Sequence, residues 1–280
     1  MFKEILEVLI EGLTDTLKLV PFLFLTYLFL EFIENKASAK TISLIKKSGK
    51  LGPVYGSLSG LIPLCGFSSA AASFYTGGVI SLGTLLAVFV ATSDEMLPIL
   101  ISGGVSLGII LEILLIKGIS GIVTGYVADL IFKKKDNGDF KIEEMCEKAH
   151  CECEKGIFHS ALIHTLKITG FVLIMNIALG ILMLVIGKDT IASWLSSQSN
   201  IVPIFILSII GLIPNCGTSV IITTLYVEKT ISLGAMIAGL VTNAGVGLAV
   251  LAHLDPKPRE VIKIVIILVI SGIITGLLVK

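Results

Sequence analysis

Gly60-Leu-Ile-Pro-Leu-Cys-Gly-Phe-Ser68 returns 151 residues later as Gly211-Leu-Ile-Pro-Asn-Cys-Gly-Thr-Ser219. Proline removes a backbone donor and clashes with the preceding turn, and glycine permits non-helical angles. A helix that meets either element should therefore break there. The same offset pairs Tyr75 with Tyr226, Ile80-Ser-Leu-Gly83 with Ile231-Ser-Leu-Gly234, and Ile119-Ser-Gly-Ile-Val-Thr-Gly125 with Ile270-Ser-Gly-Ile-Ile-Thr-Gly276. At an offset of 149, Thr16-Leu-Lys18 and Phe22 match Thr165-Leu-Lys167 and Phe171. Shared leucines mean little in an apolar chain, but shared Pro, Cys, Gly and Lys at fixed spacing mark an internal duplication.

The medium in which this duplication folds follows from composition. Of 280 residues, 54% are hydrophobic and 15% charged, with a mean hydropathy of +0.98. Soluble domains carry about 25% charged residues. Apolar runs here reach the ~20 residues that a bilayer-crossing helix needs. The formal net charge of +0 gives no reason to expect a polyanionic partner such as nucleic acid. The chain reads as an all-α polytopic membrane protein whose first partner is the lipid bilayer.

Met1–Gly12 is too short and too charged to span, and its apolar residues recur at helical spacing, which fits an amphipathic interfacial helix. A first span is expected at about 15–33, followed by a Lys-rich loop, 34–50. Dividing 51–132 at Thr76–Val79, Thr92–Glu95 and Ser102–Ser106 gives four further segments, and five similar ones follow residue 158. The expected organisation is a first repeat (1–132), a hydrophilic linker (133–158) and a second repeat (159–280), with about ten membrane segments in all, full spans or half-spans. Five segments per half is an odd number, so the repeats should lie in opposite orientations. With the N-terminus outside, the loops expected inside (34–50, 93–95, 133–158, 227–230, 253–263) hold 15 of the 21 Lys and Arg, as the positive-inside rule requires. Both termini should then be external and the linker cytoplasmic, in a bacterial-type inner membrane.

The candidate site residues lie at the breaks. Pro63, Cys65, Gly66, Ser68 and Ser69 in the first, and Pro214, Asn215, Cys216, Gly217, Thr218 and Ser219 in the second, offer thiols, hydroxyls, an amide and half-helix termini. Half-helix N-termini hold anions and free carbonyls hold cations. Cys65 and Cys216 read either as small apolar packing residues or as soft ligands for a thiophilic metal or metalloid. Thr92-Ser93-Asp94-Glu95 matches Thr242-Asn243-Ala-Gly245, and the flanking runs are too short to span alone. Acids held below a membrane surface coordinate an ion or carry a proton; the other reading is a plain loop. Glu112 and Lys117 are expected near a helix end, with the Lys stem reaching back to the interface. In the linker, Cys146, His150, Cys151 and Cys153 suit a soft or borderline metal ion, the alternative being a solvated tether. No phosphate-binding loop, nucleophile elbow or zinc-protease helix appears, so neither an enzyme nor an ATP-driven pump is indicated, and no cofactor is called for beyond a metal ion as cargo or at the linker.

At Pro21-Phe-Leu-Phe-Leu25, Pro63–Ser68 and Thr92-Ser-Asp-Glu-Met-Leu-Pro98 the chain resembles the ten-transmembrane heavy-metal exporter family, whose members are labelled arsenic efflux proteins or manganese transporters. It is more distantly similar to the organoarsenical efflux permeases. The resemblance implies export of a metal cation or an arsenical; the paired breaks place its central site, and a secondary transporter of this kind admits a proton or sodium as coupling ion. A second copy of the chain is an admissible partner. The rivals are a transporter of a small organic anion, and, from another class, a membrane-embedded thiol enzyme or a metal sensor.

Thiol labelling of single cysteines on a cysteine-free background should find positions in 34–50 and 133–158 cytoplasmic and positions in 187–200 external. Finding 34–50 and 187–200 on one side would remove the opposite orientation of the halves.

Overall fold

The computed structural model describes residues 51–62, 65–93, 96–132, 201–214, 216–254 and 258–279, with scattered positions between 6 and 28 and between 158 and 181. The N-terminal amphipathic helix and first span, the loops 34–50 and 187–200, and the linker with Cys146, His150, Cys151 and Cys153 lie wholly or largely outside the described residues. Among the described residues the ordered elements are helices: α1 (Gly52–Gly60), α2 (Cys65–Thr76), α3 (Leu82–Ala91), α4 (Met96–Ser102), α5 (Leu107–Ile131), α6 (Ile201–Ile210), α7 (Cys216–Val227), α8 (Leu233–Thr242), α9 (Val246–Leu254) and α10 (Pro258–Leu278). Among the described residues, four stretches are long and apolar enough to cross a membrane: Leu82–Ser102, Leu107–Ile131, Leu233–Leu254 and Pro258–Leu278.

Both motifs interrupt their helices. α1 stops at Gly60 and α2 starts at Cys65; α6 stops at Ile210 and α7 starts at Cys216. The starts of α3 and α8 are fixed by matching serine caps. Ser81 Oγ accepts from the Thr84 amide at 3.1 Å, and Ser232 Oγ from the Ala235 amide at 3.3 Å. Asp129 strengthens the first cap, accepting from the Gly83 amide and from Ser81 Oγ, each at 2.8 Å. That carboxylate sits where a helix N-terminus has unpaired N–H groups and positive potential.

Glycine lets the backbones approach and thereby records helix direction. A Cβ on Gly52 would meet Thr84, on Gly56 Thr84 and Val88, and on Gly60 Val88 and Ala91, so α1 and α3 run parallel. Positions 83 and 87 lie against 125 and 121, so α5 runs antiparallel to α3. These approaches recur 151 residues on. The contact of Gly60 with the Val88 carbonyl returns as Gly211 with Gly239, Gly121 with Ala87 as Gly272 with Ala238, and Gly125 with Gly83 as Gly276 with Gly234. Small residues at such crossings are the usual means of tight packing between helices in lipid. The outer faces repeat as well. Leu111, Leu115, Ile119, Val123 and Val127 form an exposed stripe along α5, and Ile262, Ile266, Ile270, Ile274 and Leu278 form its counterpart along α10.

The parallel course of α1 and α3 corrects the sequence expectation that 51–76 crosses the membrane. Gly52 lies beside Thr84, at the start of α3, and only residues 77–81 join α2 to α3, a reach of at most about 21 Å. The chain must therefore rise through α1, turn at 61–64 and return through α2. With nine residues, α1 is about 13 Å long, under half of a bilayer core. The pair is a re-entrant hairpin, and 77–81 lies at the end where α1 begins, not across from it. α6 runs parallel to α8 in the same way, through Leu207–Gly239 and Gly211–Thr242. Leu82–Ala91 and Met96–Ser102, each too short to span alone, together make one stretch long and apolar enough to cross, as do α8 and α9.

The turn after each hairpin also repeats. Gly78 has φ +74° and its counterpart Lys229 φ +58°, and both turns close with paired backbone bonds, Val79 N to Phe74 O and Thr230 N to Leu225 O. A side chain in the left-handed region costs roughly 1–2 kcal/mol. Gly78→Ala, which meets no neighbouring atom, should lower the melting temperature by a few degrees, and Lys229→Gly should leave it unchanged or raise it. Thermal unfolding of the purified protein checks both.

Candidate functional site

The halves meet through polar contacts between α5 and α10. Thr124 and Ser271 hydroxyls lie 2.7 Å apart, and Thr275 Oγ1 donates to Ser120 Oγ at 3.3 Å. The lower-numbered partner in one pair faces the higher-numbered in the other, so α5 and α10 are antiparallel. Adding 151 to one member and subtracting it from the other exchanges the two pairs, the contact pattern of a local two-fold axis. Since α3 opposes α5 and α8 opposes α10 in direction, α3 and α8 also run in opposite directions.

Their C-terminal ends meet at Lys117. This side chain has no exposure, and its ammonium donates to the carbonyl of Thr92, the cap residue of α3, and to that of Leu240, in the last turn of α8, at 3.1 Å. The last carbonyls of a helix lack intrahelical donors and carry the negative end of its dipole, so an ammonium is matched to this place. Lys117 stands ten residues from the start of α5 and fourteen from its end, about 15 and 21 Å along the axis. It does not reach an interface, which corrects the expectation that its stem extends to the headgroups. The arithmetic was available from sequence: a lysine in the middle of a 25-residue apolar run lies farther from either end than its stem reaches. Glu112, by contrast, is exposed in the second turn of α5.

Thr92 and Ser93 follow α3 and Asn243 follows α8, while Ser68, Ser69, Thr218 and Ser219 lie in the first turns of α2 and α7. Ser68, Ser69, Thr92, Ser93, Thr218, Ser219 and Asn243 are all buried. The first turns of α2 and α9 touch, since a Cβ on Gly247 would lie 2.7 Å from the Ser68 carbonyl and 2.8 Å from Phe89 at the end of α3. The hairpin arms thus cross between halves, α2 packing on α9 and α7 on α4. Several hydroxyl protons are already engaged. Thr92 Oγ1 donates to Val88 O at 2.8 Å, Thr242 Oγ1 to Gly239 O at 2.9 Å, and Ser93 Oγ to Ala91 O at 2.9 Å. Asn243 Oδ1 accepts from the Gly245 amide at 2.9 Å. The hydroxyl oxygens keep acceptor lone pairs for a ligand. Pro214 and Gly217 are partly buried at the second break.

Pro63, Asp94, Glu95 and Asn215 lie outside the described residues, as do the side chains of Cys65 and Cys216; the backbones of Cys65 and Gly66 open α2 and that of Cys216 opens α7. Among the described residues, no three His, Cys, Asp or Glu gather as a metal-holding group.

In comparisons with known proteins, the chain matches the family ArsP_2, described as "Putative, 10TM heavy-metal exporter", over residues 4–194 and over 165–280. No curated protein and no solved structure matches it.

The approach of α5 to α10 gives a direct check. With Thr124→Cys and Ser271→Cys introduced together, mild oxidation should form a disulfide that holds the halves together after proteolysis within 133–158. Cysteines placed at Leu115 and Ile266, on the exposed stripes, should not cross-link within the chain.

Proposed function

The chain belongs to the ten-transmembrane heavy-metal exporter family, and from this we propose that it is a secondary transporter carrying a heavy-metal cation or an arsenical out of the cell. In this reading the two halves are inverted-topology repeats, and the cargo binds where the interrupted helices converge near mid-membrane. The observation that carries the proposal is the meeting of α3 and α8, from opposite directions, in a buried polar junction flanked by the two hairpins. Substrate sites between inverted halves, at broken helices, are the common design of secondary transporters. Re-entrant hairpins keep the count of crossings in each half odd, so the orientation argument survives the corrected topology. Only Lys229 changes side relative to the expected loops, and the Lys-rich segments 34–50 and 133–158 both stay cytoplasmic.

Within that site we assign Cys65 and Cys216 as soft ligands for the cargo and Asp94 or Glu95 as the acid that couples transport to a proton or sodium. Ser68, Ser69, Thr218, Ser219 and Asn243 would supply harder oxygens. The linker cluster Cys146, His150, Cys151 and Cys153 would deliver metal from the cytoplasmic side. One observation favours a second reading, a small anion as cargo: Lys117 places a positive charge at the junction, and the N-terminal turns of α2 and α9 lie together there. Helix N-termini attract anions.

Transport into proteoliposomes distinguishes these readings. For a thiophilic cargo, Cys65→Ser or Cys216→Ser should reduce transport at least as much as the ~10–100-fold typical of lost outer-sphere partners, with expression unchanged. Asp94→Asn should abolish transport or flatten its pH dependence. Normal transport in both cysteine variants would move the assignment to an anion held by backbone N–H groups.

A further inference from the structure

Lys117 stands out among the described residues because it combines a charge, complete burial and contact with both halves. Its counterpart at the 151-residue offset is Leu268, which is equally buried. The duplication therefore supplies the carbonyl-bearing helix end twice but the cation only once. The two ends are brought together by the antiparallel courses of α3 and α8. Each helix C-terminus carries about half a negative charge, so the pair presents roughly one unit, concentrated in buried carbonyls. Two such ends would repel each other in a low-dielectric interior, and their carbonyls would be left without donors at about 1–3 kcal/mol for each group. One monovalent cation satisfies both requirements.

We propose that the C-terminal ends of α3 and α8 form a binding site for a single monovalent cation, ligated by the Thr92 and Leu240 carbonyls, and that the Lys117 ammonium fills this site as a covalently tethered cation. Backbone carbonyls at helix breaks are the groups with which transporters coordinate alkali ions. A primary ammonium is the tethered equivalent: it is held by the same oxygens and cannot dissociate. It follows that the resident cation does not exchange during the cycle. An untethered alkylammonium or alkali ion should enter only when the side chain is shortened.

The test is chemical rescue. Lys117→Ala removes three methylenes and the ammonium, which together correspond to propylammonium. The purified full-length variant should melt roughly 5 °C or more below the wild type. Propylammonium chloride should recover at least half of that loss, choline chloride at the same ionic strength should not, and neither salt should shift the wild type. An alanine variant that melts like the wild type, or equal effects of the two salts, would overturn the proposal. Should the alanine variant not accumulate, cells grown with propylammonium chloride provide the readout: recovered membrane-inserted protein supports the site, and no recovery overturns it. Lys117→Met adds an independent check. It keeps the length and apolar stem, so a residue that only fills space would tolerate it, whereas a tethered cation would not; a methionine variant as stable as the wild type refutes the proposal. A final arm rests on the transport reading above. At constant sodium and potassium, wild-type transport should be unchanged by added propylammonium, while the alanine variant should transport at least tenfold more slowly and recover with propylammonium. If the wild type transports nothing tested, the transport reading fails and the melting data alone decide the cation site.

Discussion

The constraint on which the rest of the molecule depends is electrostatic: two helices end facing each other in the interior, with unpaired carbonyls and aligned dipoles. Bilayer and protein interior alike offer no water to satisfy those groups. The Lys117 ammonium joins the Thr92 and Leu240 carbonyls and makes the junction tenable. A buried ammonium alone would be costly by several kcal/mol, as would the helix ends alone. Each offsets part of the other's cost. The single cation thus fixes the relative position of the two halves more firmly than the apolar contacts around it, which are non-directional.

Around that junction, close approach is achieved with glycine. The series Gly60, Gly121 and Gly125, answered by Gly211, Gly272 and Gly276, places helix backbones against one another so that carbonyls meet Cα hydrogens instead of side chains. In lipid, where apolar burial gives little drive for association, this contact area and the hydroxyl pairs between α5 and α10 take over much of that role. The lipid-facing stripes of α5 and α10 carry no such pattern; they are large, apolar and spaced every fourth residue.

Much of this was legible in the amino-acid sequence, and the limits are instructive. The breaks at Pro63–Gly66 and Pro214–Gly217 could be read because proline and glycine act locally, and the duplication because rare residues kept their spacing. The hairpin nature of α1–α2 and α6–α7 was not legible. A 25-residue apolar run interrupted by a break has the same hydropathy whether it continues across or turns back, and only the contacts of Gly52, Gly56 and Gly60 with α3 decide between them. Lys117 was assigned to an interface because lysines in apolar helices commonly reach one. Its contacts with Thr92 and Leu240, 25 and 123 residues distant in the chain, leave no local signature. Thr92 and Asn243 were recognised through the repeat, although the engagement of their side chains with neighbouring backbone became visible only in three dimensions.

The central claim is one buried junction, formed by oppositely directed halves, that opens to the two sides of the membrane in turn. It is tested most directly by the accessibility of Asn243→Cys to a membrane-impermeant thiol reagent. Labelling would be assigned by mass spectrometry in sealed vesicles of each orientation. The account expects slow labelling from either side, reduced by transported cargo, because the position is buried at the junction in any one conformation and exposed in turn during transport. Labelling from one side alone in a transport-competent variant, whatever the cargo, would contradict a central site with alternating access.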